Sequence, residues 1–157
     1  MPDSRVVEIT VKTSTADYKN AGTDDKIKLH LLNKQNIIVD TITLDNPDKN
    51  DFEPGSQGTY SKLLEGYILW ENLGGFRLQI YGHNAWMPRA ILIELKLLST
   101  SESKIAAYYQ NFGFWLSQDT GDADGGLASP SWDIPITNFN ALGLAEESPA
   151  PVPSPMT

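Results

Sequence analysis

Two short segments of the chain are dense in side chains that could bind a metal ion. Residues 19–25 read KNAGTDD, and residues 45–52 read DNPDKNDF. Their carboxylates, amides and backbone carbonyls are hard oxygen ligands, and calcium takes about six to eight of these at about 2.3–2.6 Å. Gly22 lacks a Cβ, so the backbone can turn its carbonyl toward an ion. Composition alone fits a calcium site and also fits two ordinary solvated turns.

A third acidic stretch, residues 119–126, reads DTGDADGG and contains part of a calcium-loop pattern. It lacks the register of an EF-hand, because the twelfth position counted from Asp119 is Pro130 rather than the closing Glu. We interpret this stretch as an acidic turn.

The residues of catalytic chemistry are scarce. The chain has no cysteine, which excludes disulfides, thiolate nucleophiles and thiolate metal sites. Its two histidines, His30 and His83, accompany neither a G-x-S-x-G turn nor a zinc-binding cluster. His30 alternates with Lys26 and Lys28, which predicts that it is exposed to solvent. A two-carboxylate glycosidase site stays open, but a small domain without an indicated cleft does not favour it. We therefore expect a non-catalytic domain.

Charge excludes two classes of partner. The 157 residues contain 12 Lys and Arg against 20 Asp and Glu, a net charge of −8. All 12 bases and 14 of the acids lie in residues 1–104, and the remaining six acids lie in a base-free stretch from 105 to 157. Non-specific nucleic-acid binding needs a basic face, and adsorption to anionic lipid by charge alone needs a polybasic patch. Neither is indicated here.

The elements that must position the acidic loops are strands. Apolar and polar residues alternate with a period of two in most of the chain. The predicted strands are residues 5–12, 26–32, 37–44, 58–64, 76–82 and 91–98, with 112–118 and 132–138 as further candidates. Residues 101–110 form the one fair candidate for a helix. This pattern, with turn residues between the runs, predicts an all-β fold, an antiparallel β-sandwich or barrel.

The ends of the chain differ from its body. We assign residues 1–140 to the globular domain, and 141–157, rich in alternating proline, to a flexible linker or tail. A polyproline ligand for a partner domain is the alternative interpretation of this tail. The N-terminus has no apolar signal core, and no apolar run approaches the ~20 residues that span a bilayer. A soluble chain is expected, cytoplasmic or at a membrane surface if it is full length, although it could be a piece of a larger secreted protein.

The order of several segments resembles one domain family. VKT at 11–13, AGTDD at 21–25, LDNP at 44–47, NDFEPGS at 50–56 and TY at 59–60 follow each other as in a PLAT domain. This is the lipoxygenase-homology domain, also found as the membrane-binding domain of bacterial phospholipase C toxins. The resemblance is firm over residues 5–98. It implies a sandwich of two four-stranded sheets that binds membrane lipid or a protein partner, often with calcium.

The resemblance also implies a set of calcium ligands. Three loops of this chain match the family's calcium loops, and the matching residues are Asn20, Gly22, Thr23, Asp24, Asp45, Asn46, Asn50, Asp51, Asn84 and Ala85. The calcium-binding toxins usually carry Asp where this chain has Asn20 and Asn84. An amide oxygen brings no charge, so the expected calcium affinity is weak, in the range of ~10⁻⁴–10⁻³ M. Asp24, Asp45 and Asp51 favour an ion shared by the first two loops.

Aromatic side chains near these loops are candidates for contact with a membrane or partner. They are Tyr18, Tyr81 and Trp86. Trp86 precedes a predicted strand, and a place in the sandwich core is the favoured alternative for it. The third loop is shorter than in the toxins, which argues against deep insertion into a membrane. Two further hypotheses stay open: a metal-independent protein-interaction domain, and a targeting domain cut from a lipase- or lipoxygenase-type enzyme.

Overall fold

The structure is a computed structural model that describes residues 5–15, 26–44, 57–81, 86–98, 103–110, 114–116, 127–129, 131–136 and 151–153. The strands are β1 (Val6–Thr15), β2 (Lys26–Asn33), β3 (Ile38–Thr43), β4 (Gln57–Leu63), β5 (Leu73–Tyr81), β6 (Pro88–Leu97), β7 (Ser103–Gln110), β8 (Phe114–Leu116), β9 (Leu127–Ser129), β10 (Ser131–Ile134) and β11 (Val152–Pro153). One 3₁₀ turn, Trp70–Asn72, precedes β5.

Two antiparallel sheets make up the body of the fold. One has four strands in the order β4-β1-β6-β7, and the other has five in the order β11-β10-β5-β2-β3. Strands β8 and β9 form a separate parallel pair. The predicted all-β sandwich is confirmed, and the second sheet consists of four strands extended by the two-residue β11.

The core lies between the two sheets because one face of each strand is apolar. In β1 the alternation places Ile9 and Val11 inside, and in β5 it places Phe76, Leu78 and Ile80 inside. Each of these five side chains is fully buried. Burial of such side chains stabilises the fold by about 1.5–3 kcal/mol each relative to exposure. Period-two alternation in the sequence thus becomes two facing apolar surfaces.

The predicted helix at residues 101–110 was wrong. Residues 103–110 form β7, which pairs antiparallel with β6, with Tyr109 opposite Ile91 and Ala107 opposite Ile93. The register between β6 and β7 shifts after Ile93, because β7 has one extra residue, a β-bulge, at this point. The bulge interrupts the period-two alternation of β7 that would have indicated a strand. The hydrogen bonds offered by the edge of β6 outweigh the local helical preference.

Part of the predicted flexible tail belongs to the sandwich. Val152 pairs with Asp133 and Pro153 with Trp132, at the outer edge of the five-stranded sheet. Pro151 is buried. Proline lacks an N–H donor, so it is tolerated on an edge strand, where that donor has no ladder partner. The prediction of a tether is therefore wrong for residues 151–153, and residues 141–150 and 154–157 lie outside the described parts.

Candidate functional site

The strands that flank the predicted calcium loops end side by side in the four-stranded sheet. Thr15, the last residue of β1, pairs with Pro88 at the start of β6. Ser14 pairs with Gln57 at the start of β4. The three segments 16–25, 45–56 and 82–85 therefore each have one flanking strand at this same end of the sheet.

The five-stranded sheet shows the same arrangement. Lys26, the first residue of β2, pairs with Tyr81, the last residue of β5. Leu44, which follows β3, donates its backbone N–H to the carbonyl of Ile27 at 2.9 Å. The other flanks of the three segments therefore lie together at one end of this sheet.

Trp86 joins these two ends. Only four residues separate it from Tyr81, which limits the distance between the two sheets at this point to what a short extended chain can span. Its indole Nε1 donates a hydrogen bond of 2.8 Å to Thr15 Oγ1. We call this end, defined by Thr15, Lys26, Leu44, Gln57, Tyr81 and Trp86, the loop end.

The predicted metal ligands themselves lie outside the described residues. They are Asn20, Gly22, Thr23, Asp24, Asp45, Asn46, Asn50, Asp51, Asn84 and Ala85, and the candidate contact residue Tyr18 shares their position. In the part of the chain that the structure describes, no three His, Asp or Glu side chains are grouped so that they could hold a metal ion. The structure therefore positions the strand residues that flank the three segments, and the ligand set stays a prediction.

Trp86 is a core residue and does not offer its side chain as a surface contact. Its side chain is fully buried, and its backbone forms an isolated antiparallel bridge to Leu116. The backbone N–H of Trp86 donates to the Leu116 carbonyl at 2.9 Å, and the reverse bond measures 2.7 Å. The structure corrects the proposed membrane role of Trp86 in favour of the core position that was its alternative.

Tyr81 is exposed at the loop end. Its side chain is 39% exposed, and the Lys28 ammonium lies 5.1 Å from its ring centroid. The hydroxyl donates to Gln79 Oε1 at 3.1 Å, and burial raises the pKa of Tyr81. The ring is therefore held in place but keeps a free surface, as a contact residue requires.

Sequence reasoning missed a polar network beside Tyr81. His30 is buried at 6% exposure, so the prediction that it faces solvent was wrong. Its Nδ1 lies 2.7 Å from Thr41 Oγ1, and its Nε2 lies 3.0 Å from Gln79 Oε1. The acceptor oxygen of Gln79 assigns the proton of the neutral ring to Nε2 and leaves Nδ1 to accept from the Thr41 hydroxyl. Neighbouring strands cover the imidazole, although it stands on the polar face that the alternation indicated.

The surroundings of His30 disfavour its charged form. Burial lowers the pKa of His30 below the ordinary value of 6.5, the hydrogen bond to Gln79 opposes this, and the charges of Arg77 and Lys28 lower it further. Arg77 is itself buried and paired, since its Nε donates to Asp133 Oδ1 at 2.8 Å. These contacts connect β3, β2, β5 and β10 and fix the strand that ends at Tyr81.

Comparisons with solved structures match this fold. The alpha toxin of Clostridium absonum is 24% identical with a TM-score of 0.59, over 74% of this chain and 30% of the toxin. A coral 8R-lipoxygenase, described with calcium activation through a C2-like domain, is 19% identical with a TM-score of 0.59, over 85% of this chain and 17% of the enzyme. A calcium-dependent 11R-lipoxygenase is 19% identical with a TM-score of 0.56, over 85% and 18%. The fold is that of a PLAT-like domain, as the resemblance in sequence implied.

The chain corresponds to a minor part of each of these proteins, since it spans a third of their length or less. No family model matches the sequence, and no curated protein matches it. Within the described ranges, no helix has the length and apolar character needed to cross a bilayer.

Proposed function

We propose that the protein is a non-catalytic binding module whose loop end engages membrane lipid with the help of calcium. The main support for this proposal is that the strands flanking all three predicted calcium segments meet at one end of the sandwich. Segments 16–25, 45–56 and 82–85 all leave from that end, and they contain every residue of the predicted ligand set. The topology therefore supports a site to which separate loops contribute oxygens.

The chemistry of the donor set fits calcium. Asp24, Asp45 and Asp51 supply carboxylates, and the asparagines and backbone carbonyls of the same segments supply neutral oxygens. Oxygen-only ligands of mixed charge suit calcium, whose geometry is tolerant. Two of the family's charged positions are amides here, Asn20 and Asn84. We therefore propose weak binding, with dissociation constants of ~10⁻⁴–10⁻³ M.

Calcium changes how this protein meets a membrane because of the charge of the chain. At −8 the protein is repelled by anionic headgroups. A bound calcium ion cancels part of the local negative field and can accept lipid phosphate oxygens at open coordination positions. Tyr81, exposed beside the third loop, adds apolar area at the same end. The ion supplies the charge and the ring supplies the hydrophobic contact.

Vesicle co-sedimentation tests the proposal. Metal-stripped protein is mixed with phosphatidylserine vesicles either in ~1 mM calcium or in EDTA. This calcium concentration lies in the range expected for such a site. The expected result is sedimentation that is clearly greater in calcium than in EDTA. Asp24→Asn combined with Asp51→Asn should abolish the calcium-dependent part of the sedimentation. Asp133→Asn breaks the ion pair with Arg77 away from the loop end, so it shows whether a loss of stability alone reduces sedimentation. Equal sedimentation in calcium and EDTA would overturn the proposal.

A second candidate function is metal-independent binding of a protein partner. Six large apolar side chains of the described residues are exposed, and five of them lie away from the loop end: Ile37, Ile38, Leu63, Tyr67 and Leu98. They share the opposite end of the strands, where Leu63 pairs with Glu8 and the Leu98 backbone bonds to Arg5. Exposed apolar patches are typical of interaction surfaces. A double variant, Leu63→Ser with Tyr67→Ser, tests this function. It would be favoured if the variant lost binding to a protein partner but kept its calcium-dependent sedimentation with vesicles.

The coverage of the matched structures favours a targeting role within a larger enzyme as a further candidate. The chain corresponds to 30% of the toxin and 17% of the coral lipoxygenase. A reading frame that continues into catalytic sequence would support this candidate. A transcript that encodes this domain alone would contradict it.

A further inference from the structure

A shallow groove crosses the outer face of the four-stranded sheet beside the loop end. Its volume is about 210 Å³, and β1, β4, β6 and β7 each contribute to its lining. It is lined on that face by Lys12, Ser14, Gln57, Thr59, Leu92 and Tyr108.

The groove exists because small residues meet in register. Ser14 of β1 pairs with Ala90 of β6, and this pair forms a low floor. One step further along the same face, Lys12 pairs with Leu92, and Leu92 pairs with Tyr108 of β7. The longer side chains therefore rise around the small pair and leave a depression between them.

The described polar side chains that line the groove can each donate a hydrogen bond. Lys12 carries an ammonium whose side chain is 50% exposed, and its ion-pair contact with Glu94 is long, at 3.8 Å. Ser14 and Thr59 add hydroxyls and Gln57 adds an amide, and among the described residues that line the groove none is acidic. A cation with several neutral donors suits an anionic oxygen ligand such as phosphate. The faces of Tyr108 and Leu92 can pack against the organic part of that ligand.

We propose that this groove binds a phosphate group, supplied by a lipid headgroup or by a soluble phosphate. The lipid source rests on the proposed function, because it places a second headgroup contact next to the calcium loops. The groove would then fix the orientation of the sandwich on the membrane. The described lining consists of strand residues, so we expect phosphate binding in EDTA as well as in calcium.

Vesicles of phosphatidic acid, with phosphatidylcholine vesicles as a reference, test the lipid source in EDTA. Lys12→Gln should weaken binding about five-fold, because one basic residue at a headgroup contributes about that factor. Glu94→Gln should strengthen binding two- to three-fold by removing the carboxylate that pairs with Lys12. Lys96→Gln is the matched control: Lys96 stands on the same strand pair, opposite Glu8, but away from the groove. It should leave the affinity within two-fold of the wild type.

Inorganic phosphate separates the two sources. NMR shifts of the Lys12 and Tyr108 resonances on phosphate titration, without binding to vesicles, would assign the groove to a soluble phosphate. Binding to both supports the lipid source. The assignment of the groove as a phosphate site would be overturned by either of two results. One is an unchanged vesicle affinity in both Lys12→Gln and Glu94→Gln, and the other is an equal loss of affinity in Lys96→Gln. Loss of the calcium response with a persistent Lys12 effect in EDTA would overturn the proposed function alone.

Discussion

Lys62 and Asp40 join the two sheets at one edge of the sandwich. Lys62 stands on the edge strand β4, Asp40 stands on the edge strand β3 of the other sheet, and Lys62 Nζ donates to Asp40 Oδ1 at 3.1 Å. Oδ2 of Asp40 accepts the backbone N–H groups of Glu65 at 2.7 Å and Gly66 at 2.9 Å. A Cβ at Gly66 would clash with the Val39 carbonyl, so this close approach requires glycine. The contacts also cover an edge strand that would otherwise offer its backbone to other chains.

Asp40→Ala should destabilise the fold by about 2–4 kcal/mol. The Asp40 side chain is only 7% exposed, and its removal leaves the N–H groups of Glu65 and Gly66 without this acceptor. The Lys62 ammonium loses its carboxylate partner and keeps the Thr41 carbonyl. Denaturant unfolding measures the change. Glu94→Gln is the control, because the Lys12–Glu94 pair is longer and more exposed and should contribute less than about 0.5 kcal/mol. Equal effects of the two substitutions would contradict the structural role of Asp40.

The acid limb of the stability profile should depend on Asp40. Burial pushes the pKa of Asp40 upward, but hydrogen bonds from the Gly66 and Thr41 N–H groups, from Lys62 and from the Glu65 N–H outweigh it and hold the pKa below 3.8. A carboxyl whose pKa is lower in the folded state stabilises the protein above its unfolded pKa. That stabilisation is lost as the pH falls below about 4. Unfolding free energies between about pH 2 and 5 should therefore fall less steeply in Asp40→Asn than in the wild type, and parallel curves would contradict this.

His30 should titrate below the ordinary histidine range. Its pKa is lowered by burial and by Arg77 and Lys28, so its neutral form stabilises the fold above pH 6.5 and this contribution is lost as the pH falls through the folded-state pKa. Two-dimensional NMR of the imidazole protons measures the pKa directly. Gln79→Leu removes the acceptor for Nε2 and should lower the pKa further. A His30 pKa at or above 6.5 would contradict the buried network.

The contact between Trp86 and Thr15 should stabilise the loop end. Thr15→Val keeps the shape of the side chain but removes the acceptor for the buried indole N–H, which should cost about 1–2 kcal/mol. Thr15→Ser retains the hydroxyl and should cost less. Thermal unfolding of both variants measures the difference. Equal stability of Thr15→Val and the wild type would show that this hydrogen bond contributes little.

Sequence pattern predicted the parts of the fold that repeat along the chain. Alternation indicated the strands because Ile9 and Val11 face one side while Lys12 faces the other, and that property is local. Long-range pairing determined the parts that sequence missed. Residues 103–110 are a strand because β6 offers them an edge, and Val152 and Pro153 join a sheet beside residues about 20 positions away. His30 is buried because Thr41, Gln79 and Tyr81 arrive from other strands.

The candidate site divides in the same way. The ligand set rests on the resemblance of short segments to a family, whereas the convergence of their flanks required the register of two sheets. Trp86 shows the difference, because an aromatic residue beside a loop has the same composition signal whether it faces solvent or core. Its hydrogen bond to Thr15 distinguishes the two. The groove around Lys12 had no sequence signal, because its lining comes from four strands.

Calorimetric titration of the metal-stripped protein with calcium measures the proposed ion site at the loop end. We expect binding heat with a dissociation constant of ~10⁻⁴–10⁻³ M and a rise in the thermal unfolding temperature at millimolar calcium. Both should disappear when Asp24 and Asp51 are replaced by Asn. Absence of heat and of any thermal shift in the wild-type protein would contradict the calcium site at the loop end.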